Sequence, residues 1–145
     1  MELIAQLGYS ITSEGIARKI AELAHGAHDN VLVAELHGQV VGMLSWHLTP
    51  VLHEEPPLGR ITALVVREDV RGRSIGVELL QRAERELRER GCRRLELTSG
   101  RHRVDAHRFY VRCGFEERSL RLVKELDGRR LTEGDRARPG PADGV

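Results

Sequence analysis

The chain has 145 residues, 31% charged and 40% apolar, the size and balance of one soluble globular domain with a single buried core. Its 23 Lys and Arg stand against 22 Asp and Glu, and a net charge of +1 gives no global attraction to nucleic acid or anionic lipid. No apolar run is long enough to span a bilayer, no secretory leader opens the chain, and Cys92 and Cys113 lack metal-ligand spacing. These features suggest a reducing cytoplasm, where a disulfide between the two is not expected.

Leu3, Ile4 and Leu7 share a helical face that Gly8 can close. Thr12 or Ser13 can cap a second helix, whose Ile16, Ile20, Leu23 and Ala24 recur with helical period before Gly26. Val31–Leu36 and Val40–Leu48 are β-rich runs around His37-Gly38, a hairpin signal. Pro50, Pro56 and Pro57 mark a loop carrying His53, Glu54 and Glu55. Leu58–Val66 is the third predicted strand, and Ala63–Val66 is apolar at every position, so both faces should be covered.

A helix follows over 77–90, with Val77, Leu80, Ala83, Glu84 and Leu87 on one side and the pairs Glu84–Arg88 and Glu86–Arg90 on the other. Arg94–Thr98 alternates like a strand, 104–113 reads as a short helix closed by Gly114, and Phe115–Leu126 predicts one or two last strands. Residues 1–127 thus read as a single domain, and 128–145 as a disordered tail without apolar period. The order predicts layered α/β or α+β architecture, with a parallel β-α-β crossover from Ile61 to Thr98.

The most informative stretch is Arg71-Gly72-Arg73-Ser74-Ile75-Gly76, between the strand ending at Val66 and the helix opening at Val77. The first N–H groups of a helix have no intrahelical acceptor, and the macrodipole is positive there. A strand, a glycine-bearing turn and a helix start therefore suggest a phosphate-bearing cofactor. The Gly-Lys-Ser/Thr ending of a P-loop is absent.

Two blocks together resemble the GCN5-related N-acetyltransferase (GNAT) superfamily. The first is Leu64-Val65-Val66, then Arg71 to Gly76, then Leu79-Leu80. The second is Leu95-Glu96-Leu97-Thr98-Ser99, then Ala106-His107-Arg108-Phe109-Tyr110, then Cys113-Gly114-Phe115. The resemblance implies a mixed, mostly antiparallel sheet with one parallel β-α-β crossover and flanking helices. It implies acetyl-CoA as donor and no metal. Backbone groups of Gly72, Arg73, Ser74, Ile75, Gly76 and Val77 would hold the pyrophosphate, with Arg71 and Arg73 adding charge. Leu64, Val65 and Val66 would pair with the pantetheine as an added strand would. Two parallel strands would splay apart, with the thioester in the gap. Arg103 stands where many members place an Asn that contacts CoA.

Two departures are visible. Ser74 replaces the motif's middle glycine. It is costly if the position needs positive φ and well suited if the position is helical or bridge-like, with its hydroxyl near a phosphate. Members commonly open with a strand before the first helix, whereas this chain begins inside the helical region, so either the sheet lacks an edge strand or this start is late. A second copy could cover the exposed edge, as a homodimer.

Acetyl transfer needs a neutral amine, a stabilised carbonyl oxygen and a protonated leaving thiolate. Tyr110, matching the family's tyrosine, is the candidate acid; the alternative is a core aromatic. Glu96 points away from Leu95 and Leu97 and is the candidate base if that face is the cleft. His47 and Trp46 could line the same pocket, though each alone suits surface or packing. Cys113 at a helix end is disfavoured as a thiolate. The resulting expectation is acetyl transfer from acetyl-CoA to a small-molecule primary amine by direct attack. The rivals are a protein N-terminal or lysine acetyltransferase and a non-catalytic acyl-CoA-binding module.

Overall fold

A computed structural model describes Leu3, Gln6, residues 12–118, 121–124, Leu126 and residues 143–144. Leu3 and Gln6 are helical, and the rest of the first expected helix lies outside the described residues. Helix α1, Ser13–His25, is capped by Thr12, whose Oγ1 accepts from the Gly15 N–H at 3.1 Å. It packs against β1, Asp29–Leu36. The turn to β2, Gln39–Val51, has positive φ at both His37 and Gly38, which matches the twist of the flanking strands.

Strand β3 spans Glu54–Val66, so the expected proline loop is mostly a hairpin extension. Only Leu52 and His53 separate the strands, and the register breaks between Thr49 and Val51. Pro50, Pro56 and Pro57 fall within that irregular stretch, where their missing N–H groups do least damage. The sheet order is β1-β2-β3-β4, where β4 is Arg94–Glu96. The first two pairings are antiparallel and the third is parallel, as the β-α-β crossover predicts.

The crossover helix α2, Ile75–Glu89, buries Gly76, Leu79, Leu80, Ala83, Glu86 and Leu87. Its Leu79, Leu80, Ala83 and Leu87 form the main core with Leu44, Trp46, Ile61 and Leu64 of the sheet and Ala106 and Tyr110 of α3, Val104–Arg112. Val65 points into a separate cluster with Leu3, Met43 and Ala63, so β3 is covered on both faces as its unbroken apolar run implied. Gly59 permits the close approach of Cys92, since a Cβ there would lie 2.9 Å from the Cys92 sulfur.

The polar face of α2 differs from expectation. Glu84–Arg88 forms as an exposed pair at 3.0 Å, but Glu86 is buried. Its carboxylate accepts from Arg82 at 2.9 Å and from Asn30 at 2.8 Å. Arg90 instead lies over the Trp46 ring, 4.9 Å from its centroid, and donates to the Glu86 carbonyl. Trp46 is therefore core, and His47 Nδ1 pairs with Asp29 at 2.8 Å.

Residues 115–118 and 121–124 carry no strand, contrary to expectation. Leu122 and Leu126 are 84% and 91% exposed, so their apolar phase finds no sheet edge to cover among the described residues. From the segment read as a tail, Asp143–Gly144 forms β5, parallel to β3 at Leu64 and Val65. No described helix is long and apolar enough to cross a membrane.

Candidate functional site

Three features converge around the second half of β3. The first is a fork. Strands β3 and β4 pair at Leu58–Arg94, Gly59–Leu95 and Arg60–Glu96. Beyond that rung β4 ends, while β3 continues to Val66. A bulge marks the same place. Ser45 pairs with Ala63 and Trp46 with Ile61, which leaves Thr62 as the extra residue. Its hydroxyl lies 2.7 Å from that of the buried Ser45. An extra residue bends a strand and increases its twist, a local device for turning an edge away from its neighbour.

Arg60 closes the fork. Its guanidinium donates to Glu96 Oε1 and to Thr98 Oγ1, both at 2.9 Å. Glu96 is thus held at the mouth of the gap by a fixed, planar partner. Arg60 was not singled out from the sequence. The available signal was a charged residue within an otherwise apolar run, and its meaning depended on the strand pairing.

The second feature is the turn at the far end of β3. Gly72 has φ 77° and Ser74 has φ 64° with ψ 4°, so Ser74 occupies the left-handed region. Of the two alternatives open at this position, the geometry is the one that favours glycine. Ser74 is the residue before α2, and its side chain makes no cap hydrogen bond. Ile75, Gly76 and Val77 open the helix, where backbone N–H groups lack intrahelical acceptors. Arg73 is exposed. Arg71 is also exposed at its tip, yet its Nε–H donates to the Val66 carbonyl at 3.1 Å and ties the turn to β3. Arg67 is neutralised locally by Asp69 at 2.6 Å, whose carboxyl it holds below the usual range.

The third feature is the loop from β4 to α3. Ser99 Oγ and Arg103 Nη1 are buried without a hydrogen-bond partner among the described residues. Buried donors of this kind ordinarily find a partner, so two in one loop are polar capacity suited to a bound molecule or water. Arg103 is the N-cap residue of α3. Six residues later in that helix, Phe109 and then Tyr110 pack on the core. The Tyr110 ring is 3% exposed and meets Phe109 and Phe115 edge to face, at centroid distances of 5.3 and 5.6 Å.

The side chains of Leu64, Val65 and Val66 are buried in the core clusters, so only their backbone could face the fork. His47 and Trp46 belong to packing and to the Asp29 pair, as described above. Burial pushes the Cys113 thiol above its ordinary range, which agrees with its exclusion as a nucleophile.

A family model described as the acetyltransferase (GNAT) family matches residues 4–115. An aminoalkylphosphonate N-acetyltransferase from Salmonella typhimurium is 36% identical over 121 residues, covering 83% of this chain and 76% of that protein. Among solved structures, a GNAT family acetyltransferase from Staphylococcus aureus superposes with a TM-score of 0.73 at 18% identity, covering 86% of this chain and 85% of that one. AAC(6')-Iy in complex with the bisubstrate analogue CoA-S-monomethyl-acetylneamine gives 0.74 at 18% identity, over 85% of this chain and 87% of that one. At such identities the structural likeness is one of fold. The family match and the Salmonella relative carry the assignment, and this chain belongs to the GNAT family of acyl-CoA-dependent N-acetyltransferases.

Proposed function

We propose that the protein transfers acetyl from acetyl-CoA to the primary amine of a small molecule, by direct attack of the amine on the thioester. The observation that carries it is the fork. Beyond the Arg60–Glu96 rung, the edge of β3 runs from a polar pair toward the glycine-bearing turn at the start of α2, a geometry that suits an anion. Pantetheine would pair with the backbone of Leu64, Val65 and Val66, and the pyrophosphate would lie against the N–H groups from Gly72 to Val77. Arg103 and Ser99 would supply donors from the facing loop.

In this arrangement Glu96, directly or through one water, takes the proton that the attacking amine releases. Arg60 holds the Glu96 carboxylate at the gap. Tyr110 gives its phenolic proton to the departing CoA thiolate. Its ring is fixed by two aromatic neighbours, which limits the search for a productive geometry. The name of the Salmonella relative supports an aminoalkylphosphonate as the first acceptor to try, and the shared fold of aminoglycoside acetyltransferases supports aminoglycosides as the second.

Calorimetric titration with acetyl-CoA, with desulfo-CoA alongside, tests the donor site. Thiol release with a panel of aminoalkylphosphonates, aminoglycosides and lysine peptides tests the acceptor. Saturable donor binding and turnover confined to small amines are expected. Turnover confined to the peptides would overturn the small-amine assignment.

A further inference from the structure

The same β3 edge that faces the fork is not vacant along its whole length. Asp143 pairs with Leu64 and Gly144 with Val65, in parallel. These are the backbone positions assigned above to pantetheine. A peptide segment and a pantetheine arm that use the same main-chain donors and acceptors exclude one another.

The geometry points to residues 143–144 as a built-in competitor for acetyl-CoA. It rests on the proposed assignment of the Leu64–Val66 edge to pantetheine. The segment is a suitable one for a reversible contact. Gly144 brings no side chain to the edge, and two rungs without an apolar anchor bind weakly. Weak pairing is sufficient here because the segment belongs to the same chain. A tethered ligand is present at an effective concentration on the order of millimolar. Leu126 and Asp143 are far enough apart in sequence for the intervening chain to span the domain. Acetyl-CoA has contacts the segment lacks, at the 71–77 turn, and displaces it when concentrated enough. The consequence is an apparent affinity reduced by the fraction of molecules whose edge is filled.

The test compares the full chain with the full chain carrying Asp143→Pro and Gly144→Pro. Proline removes the N–H groups and is poorly tolerated in a paired strand, and both sites lie outside the core clusters. Two readouts are taken: acetyl-CoA affinity by calorimetry, and amide exchange at Leu64 and Val65 without CoA. The expected result is affinity tighter by about fivefold, the factor for an edge filled four-fifths of the time. Faster exchange at Leu64 and Val65 should accompany it, and the gain should not depend on protein concentration. Equal affinities in the two proteins would overturn the competition and leave the donor site standing. A gain that grows with protein concentration would assign the segment to a second copy and overturn the internal contact. Absence of acetyl-CoA binding in both would overturn the donor site, and the competition with it.

Discussion

Arg60 and Glu96 form an ion pair of 2.9 Å across the last rung that joins β3 to β4. The pair sits where the sheet opens, and both side chains are about two-fifths exposed, at 38% and 41%. At that exposure its worth to stability is small, since solvent screens the attraction. Its position gives it a different use. In the proposed reaction, a carboxylate fixed by a guanidinium at the mouth of the gap would serve as a pre-oriented proton acceptor.

Replacing Glu96 by Gln should lower kcat about a hundredfold, the range typical of a general base, with acetyl-CoA affinity nearly unchanged. Replacing Arg60 by Gln should lower kcat about tenfold with acetyl-CoA affinity nearly unchanged, because Arg60 acts by positioning Glu96. Steady-state kinetics across pH would check both. A Glu96→Gln enzyme with unaltered kcat would assign the proton to water alone.

Tyr110 can be tested without disturbing the core. Tyr110→Phe keeps the ring and its edge-to-face contacts with Phe109 and Phe115. Thermal stability should remain within about 1 kcal/mol of the parent, and kcat should fall about a hundredfold. Dissociation of acetyl-CoA, measured by calorimetry, should hardly change. Equal turnover in the two proteins would make Tyr110 a packing residue.

Ser74 is a local conflict between residue and backbone. The left-handed conformation costs a non-glycine residue roughly 1–2 kcal/mol. Glycine avoids that strain but loses more freedom on folding, roughly 0.5–1 kcal/mol. Ser74→Gly should therefore stabilise the protein by up to about 1 kcal/mol, a few degrees in Tm, and should tighten acetyl-CoA binding. Ser74→Val should do the reverse. Differential scanning calorimetry gives the first quantity and titration the second. A lower Tm for the glycine variant would show that the serine hydroxyl contributes more than the backbone strain removes.

Glu86 gives the fold a pH dependence of known sign. Burial by itself would raise its carboxyl, but the hydrogen bonds from Arg82 and Asn30 outweigh that and hold it below the ordinary range. A folded-state pKa below the unfolded one means stability that is present above the unfolded value and lost as pH falls through the folded value. Glu86→Gln should then cost about 1–2 kcal/mol at neutral pH, and the difference from the parent should shrink as pH falls below about 4. Guanidinium denaturation midpoints at the two pH values would measure it. A pH-independent difference would assign the effect to shape rather than charge.

Local signals in the chain determined much of this protein. Apolar period located the α-helices over 13–25, 75–89 and 104–112 to within two residues, Thr12 or Ser13 was legible as a cap with the fold choosing Thr12, and His37-Gly38 announced a hairpin turn. The strand-turn-helix around Arg71–Gly76 and the block from Leu95 to Phe115 carried the resemblance to the family, because each sets residue types at fixed spacing. What the tertiary structure alone decided are relations between distant residues. Whether Ser74 stood in a helical or a left-handed conformation was open until the turn was built. The burial of Glu86 required Asn30 from another element. The bulge at Thr62 and the rung joining Arg60 to Glu96 depend on the register between strands, which shifts by a residue without any change in local pattern. The pairing of Asp143–Gly144 with Leu64–Val65 was hidden for the same reason. A backbone edge accepts a partner through its main-chain groups, and these are the same in every residue but proline.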